Sequence, residues 1–162
     1  MPQGKLSLSA SRLILLLSLL MAPLLSCSSP PHVDEDGTWS EVVVQNAPPQ
    51  RDLLSAAEQA VMRTGFPPGE RDEARGNVIS GWDINLQPFR NQGRRWRGII
   101  KIEAVEDGTR LAARVQTQKN VEMDDTLDAG AAEWEDEPDD RGRSRVLLQQ
   151  FLSQLHLTGE ER

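Results

Sequence analysis

The sequence predicts an α+β domain over residues 38–158, in the order β-α-β-β-β-α, with two helices packed on one face of a four-stranded, mainly antiparallel sheet. Three observations predict it. A helix with a marked start and stop lies over Leu53–Thr64, two alternating segments flank Asp107-Gly108, and a leucine-rich segment of helical spacing closes the domain.

The first strand is Thr38–Val44, TWSEVVV, where Val42, Val43 and Val44 favour extended backbone. Asn46-Ala47-Pro48-Pro49 ends it. Asp52 is placed to cap the helix that follows, and Leu53, Leu54, Ala57, Ala60 and Val61 make its apolar face. Gly65 suits a left-handed stop, Phe66 packs back onto the last turn, and Pro67-Pro68 prevent continuation.

Val78–Ile84, VISGWDI, reads as the second strand, with Val78, Trp82 and Ile84 on one face. In the third, Arg94–Val105, Trp96, Ile100, Ile102 and Ala104 point inward, against Arg95, Arg97, Lys101 and Glu103 outward. The fourth, Arg110–Gln118, sets Leu111, Ala113, Val115 and Thr117 against Arg110, Ala112, Arg114, Gln116 and Gln118, and Asp107-Gly108 between the two is a hairpin turn signal. One apolar and one polar face fit an antiparallel sheet covered on one side. Residues 122–140 hold ten carboxylates and no basic side chain, which predicts an exposed acidic loop. The last helix runs from about Ser144 to Leu157 and presents Leu147, Leu148, Phe151, Leu152 and Leu155 on one face.

Ahead of this domain, Lys5 and Arg12 precede the apolar run Leu13–Leu25, broken at Pro23. Thirteen helical residues rise roughly 20 Å, short of a bilayer core of about 30 Å, so the run reads as a removable export signal over residues 1–26. It ends in Leu24-Leu25-Ser26-Cys27, which resembles the lipobox of bacterial lipoproteins. The resemblance implies that Cys27 carries a diacylglycerol on its thiol and becomes the first residue of the mature chain. Ser28 stands where an aspartate would resemble the inner-membrane retention signal, which implies the outer membrane, periplasm-facing. Residues 27–37 then form the lipidated cysteine and a polar, proline-bearing tether.

Removal of residues 1–26 takes away Lys5 and Arg12 and no acid, so the net charge moves from −7 to −9. Such an acidic chain is not expected to bind nucleic acid. Cys27 is the only cysteine, and the two histidines, His32 and His156, lie in the tether and near the last helix's end. Neither a cysteine–histidine pair nor a serine triad can be assembled from them, so no enzymatic activity and no cofactor are expected. Asp34, Asp36 and Gly37 resemble part of a calcium loop, as do Asp124, Thr126, Asp128 and Gly130. The first lacks the terminal glutamate, with Val43 in its place, and in the second the glycine comes one residue late. No specific metal site is expected; residues 122–140 read as a solvated acidic loop, with weak, non-specific calcium binding there as the alternative.

The sharpest local feature is PFRNQGRRWRG, in which Arg90, Arg94, Arg95 and Arg97 surround Trp96. Arginines interleaved with an aromatic bind phosphate or carboxylate groups by forked hydrogen bonds and stacking. The alternative is that they meet the chain's own acidic loop, or protect a sheet edge from aggregation. Trp82, Trp96 and Trp134 are expected in the core or at its rim. Trp134 sits among Glu133, Glu135, Asp136 and Glu137, where its indole either pins the acidic loop to the sheet or offers a partner contact.

From Gly65 to Leu155 the pattern resembles the helix-grip domains of outer-membrane assembly lipoproteins, notably the C lipoprotein of the β-barrel assembly machine. The shared features are the helix ending in Gly65-Phe66, then Gly76-Asn77-Val78-Ile79-Ser80-Gly81-Trp82, the start Arg94-Arg95-Trp96-Arg97, and the leucine-rich last helix. The lipopolysaccharide-assembly lipoprotein of the outer membrane is similar in layout. Both families consist of non-catalytic accessory proteins. The resemblance implies a scaffold or protein-binding module in envelope assembly, with an envelope protein as partner and the membrane reached through the lipid. The alternative is a carrier of an anionic lipid or glycan bound at the arginine cluster of residues 90–97.

Overall fold

The computed structural model describes residues 37–156; Cys27, the export signal and the tether up to residue 36 lie outside that range, as do residues 157–162. The described chain runs β1 (Ser40–Val44), α1 (Gln50–Arg63), β2 (Glu70–Asp72), β3 (Asn77–Ile79), β4 (Asp83–Asn85), β5 (Arg94–Val105), β6 (Gly108–Asn120), β7 (Trp134–Glu137) and α2 (Arg141–Gln154). The class is α+β with two helices and an antiparallel sheet, but the sheet has seven strands rather than four. Its order is β1-β6-β5-β3-β2, with β4 also on β5 and β7 also on β6.

The long β5–β6 hairpin is the spine. It pairs from Arg94↔Lys119 to Val105↔Gly108, closing over Glu106-Asp107. Gly108, expected in the turn, takes a positive φ of 139° and pairs with Val105. Its missing side chain matters, because a Cβ there would meet the Val44 carbonyl of β1.

One face of the hairpin carries the core. Ile100 and Ile102 of β5 and Leu111, Ala113 and Val115 of β6 join Val44 and Val78. Both helices contribute to the same cluster, α1 through Leu53, Leu54, Ala57, Ala60 and Val61, and α2 through Leu147, Leu148, Phe151 and Leu152. Phe151 and Leu147 are fully buried, and burying side chains of this size contributes about 1.5–3 kcal/mol each. Gly98 leaves the room this packing needs: a Cβ there would stand 3.0 Å from Leu147 and 3.2 Å from Phe66.

The stop of α1 follows the expected chemistry. Gly65, at φ 90°, donates to the Met62 carbonyl and Phe66 donates to Val61, which satisfies the last carbonyls in a Schellman arrangement. The start differs. Asp52 does not cap it; the helix begins at Gln50, with Pro49 as N-cap and its carbonyl accepting from Asp52 and Leu53. Asp52 lies instead in the first turn, where its charge favours the helix dipole. The last helix starts earlier than expected, at Arg141, capped by Asp140, whose side chain accepts from the Arg143 amide at 2.9 Å.

Asp140 and Ser144 also complete the sheet. Along one edge of β6, β1 pairs with residues 109–113 and β7 with residues 117–120. In the gap, Val115 donates to Ser144 Oγ at 2.9 Å and its carbonyl accepts from the Asp140 amide at 3.0 Å. The buried hydroxyl of Ser144 donates on to the Asp140 carbonyl, so a helix start takes the place of a strand there.

Candidate functional site

The candidate site is the face of the sheet that the core does not occupy. Strand alternation sends odd-numbered residues of β5 and even-numbered residues of β6 to it. Cross-strand register then lines up Arg97 with Gln116, Arg95 with Gln118 and Asp136, and Ile79 with Ile99 and Arg114. The same alternation divides the expected arginine cluster. Arg95 and Arg97 are on this face, whereas Arg94 and Trp96 are on the core side.

Trp96 packs against the core, with the Arg143 guanidinium of α2 at 4.2 Å from its ring. Arg94 pairs with Glu137 at 2.6 Å and donates to the Asn91 carbonyl at 2.6 Å. Arg90 is exposed on the loop of residues 86–93, and no ion pair holds it among the described residues. The structure therefore does not gather these side chains around Trp96.

It gathers a different set. The Arg95 guanidinium lies 4.3 Å from the Trp82 ring and 4.6 Å from the Trp134 ring, between two indoles. Its Nε donates to Gln118 at 2.6 Å. Arg97 stands 4.7 Å from the same Trp82 ring and donates from Nε to Gln116 at 2.8 Å. Gln118 turns its amide to Asp136 at 2.7 Å. Each arginine–indole contact contributes about 0.5–1 kcal/mol where water reaches it, and up to about 2 where it does not. Burial first, and then the Arg97 charge, hold Arg95 below its ordinary pKa, with Asp136 acting the other way.

Trp82 comes to this face through a register change, which corrects the expected single strand Val78–Ile84. Ile79 pairs with Ile99, but Asp83 pairs with Trp96, so one extra residue lies between β3 and β4. A one-residue slip turns every later side chain over. Val78 stays in the core while Trp82 and Ile84 face outward, Ile84 at 44% exposure. Ser80 makes the break: its amide donates to the Gly98 carbonyl, and its Oγ accepts from the Gly98 amide at 2.8 Å. The sequence signal was Ser80-Gly81, a break inside an otherwise continuous strand pattern.

Trp134 arrives through β7, which lies inside the expected acidic loop. Glu135 reaches Lys119 at 2.9 Å and Glu137 reaches Arg94, so several acids are partners of the hairpin. Asp139 is more deeply placed. Its side chain is 5% exposed, against 9% for Arg114, and Oδ2 accepts from Arg114 Nε at 2.7 Å and from the Thr38 amide at 2.6 Å. Gly37, assigned to the tether by sequence, sits against the Arg114 guanidinium, which fills the space a Cβ would need. The chain thus enters the domain fastened to the outer face.

The rest of the acidic segment is organised locally. Glu122 accepts from the Asp124 and Met123 amides at 2.8 Å, and these bonds, Asp124 first, hold its carboxyl below the ordinary range. The Asp128 carboxylate accepts from Gly130 at 2.8 Å. Among the described residues no three acidic, histidine or cysteine side chains converge on a metal position, and no helix is long and apolar enough to cross a membrane. No protein family and no curated protein sequence matches this chain.

Proposed function

We propose that this chain is an outer-membrane lipoprotein, anchored through Cys27 and facing the periplasm, whose domain is a non-catalytic accessory module that binds another envelope protein on the sheet face opposite α1 and α2. The lipobox and the likeness to envelope-assembly lipoproteins support the setting. The observation that carries the binding surface is the Trp82–Arg95–Trp134 stack. Tryptophan and arginine dominate the energetics of protein interfaces, and here they stand together on the sheet face opposite the helices, beside the exposed Ile84. Both arginines are restrained by ring contacts and by glutamines of β6, so binding costs them little side-chain entropy.

The second reading is a carrier of an anionic lipid or glycan. It draws on the same arginines, but glutamines and Asp136 share the face with them, and a carrier is expected to enclose its ligand in an apolar pocket.

A photocrosslinker placed at Ile84, on the outer face, is compared in living cells with one at Met62, exposed on α1. A defined envelope protein crosslinked from position 84 and not from position 62 is the expected result. Equal capture from both positions, or none from 84, contradicts the assignment.

A further inference from the structure

We propose that Arg95 is a carboxylate-binding site, which takes one carboxylate from an otherwise apolar segment of the protein partner. The inference rests on the reading of this face as a protein-binding surface and specifies what the surface selects.

A guanidinium offers two flat faces and a set of N–H groups along its edges. At Arg95 the Trp82 and Trp134 rings stand 4.3 and 4.6 Å from Cζ, and Nε is committed to Gln118. The remaining donors are the two Nη groups. They have no acceptor among the described residues, and neither is sealed from solvent. Their paired N–H bonds match the two oxygens of a carboxylate, and the Nε bond to Gln118 and the two ring contacts already restrain the guanidinium.

The surroundings select the anion. Ile84 stands opposite Arg95 in the β4–β5 ladder and is 44% exposed, so apolar surface borders the cation beside the indoles. Asp136 occupies the next position across the ladder, hydrogen-bonded to Gln118. A dianionic phosphate or an anionic membrane would meet Asp136 and the net charge of −9 left after removal of residues 1–26 at once. A single carboxylate carries less charge against Asp136 than a phosphate dianion, and it meets Arg95, with Arg97 on the shared Trp82 ring, beside the apolar surfaces of Trp82, Trp134 and Ile84.

The test uses the full-length mature protein in detergent micelles, with its arginine side chains followed by nitrogen-resolved NMR. The probes are phenylacetate, its neutral analogue phenylacetamide, and inorganic phosphate. Phenylacetate should shift the Arg95 Nη signals saturably, while phenylacetamide and phosphate should not. Arg95→Gln should weaken phenylacetate binding about tenfold or more, as expected for losing a charge-assisted bond. Trp134→Ala should weaken it while leaving the charge in place. Equal shifts from phenylacetamide, equal or stronger binding of phosphate, or undiminished binding by Arg95→Gln would each overturn the proposal. If Arg95→Gln does not fold, the comparison of the three probes on the wild type still decides. Crosslinking from position 84 that persists despite a negative result here would leave the protein-binding face standing without this site.

Discussion

Asp139→Ala should be the most damaging single change among the acidic residues of the 122–140 segment. One oxygen of Asp139 serves both Arg114 Nε, at 2.7 Å, and the Thr38 amide, at 2.6 Å. Both side chains of the ion pair are nearly sealed from water, at 9% and 5% exposure. Breaking a buried pair by removing one partner costs about 3–5 kcal/mol, and here the Thr38 amide loses its acceptor together with the Arg114 ion pair. The contrast is Glu135→Ala, whose Lys119 pair is 2.9 Å long but 31% and 62% exposed. Such a surface pair contributes roughly 0–1 kcal/mol and is screened by salt. Urea unfolding of both variants at low and high salt separates the cases. Asp139→Ala should lose about 3 kcal/mol more than Glu135→Ala in either buffer, and Asp139→Asn, which keeps an acceptor, should fall between them. A loss for Asp139→Ala within about 1 kcal/mol of the Glu135 control would refute the argument that this acid is structural.

Phe151→Ala, at a fully buried position between α2 and the sheet, should cost about 3–5 kcal/mol in the same assay; a loss under about 1 kcal/mol would mean the core lies elsewhere. Glu122 should titrate below an ordinary glutamate when followed by carboxyl NMR, because two backbone amides favour its ionised form. A depressed folded-state pKa contributes order that is present above the unfolded pKa and lost as pH falls through the folded one, so the Met123 and Asp124 amides should lose protection at the acid end and not at the alkaline end. Cys27→Ala should abolish fatty-acid labelling and leave the precursor uncleaved, whereas a labelled, processed mutant would remove the lipobox assignment.

The parts of the fold legible in the sequence are those set by local chemistry. Gly65-Phe66 ends α1 by bonds between residues three to five apart, and the β5–β6 hairpin follows from alternation around a tight turn. Both can be read without knowing what lies across the sheet. The missed parts depend on distant partners. β7, Trp134-Glu135-Asp136-Glu137, has the composition of a solvated loop. It becomes a strand because Lys119, Gln118 and Arg94 wait across the ladder for its carboxylates. Asp139 is buried for the same kind of reason, with Arg114 twenty-five residues earlier in the chain. The candidate site was legible by half. Alternation placed Arg95 and Arg97 outward, but the indoles that hold Arg95 come from β7, which has no signal within its own few residues, and from a slipped register whose only local mark is Ser80-Gly81 inside a strand pattern.

The central claim, that the sheet face opposite α1 and α2 binds a protein through its tryptophan–arginine stack, is tested most directly by recovery from crosslinked envelopes. Wild type is compared with the Trp82→Ala/Trp134→Ala double variant, both lipid-anchored, with urea midpoints measured to establish that the variant is folded. Loss of two interface anchors at about 2 kcal/mol or more each predicts that partner recovery, quantified by mass spectrometry, falls by roughly 700-fold or more. It also predicts that no lipid or glycan elutes with the wild-type domain. Undiminished recovery by the folded double variant would contradict the account. So would a bound lipid or glycan that disappears when Arg94, Arg95 and Arg97 are replaced by glutamine, which would make the protein a carrier.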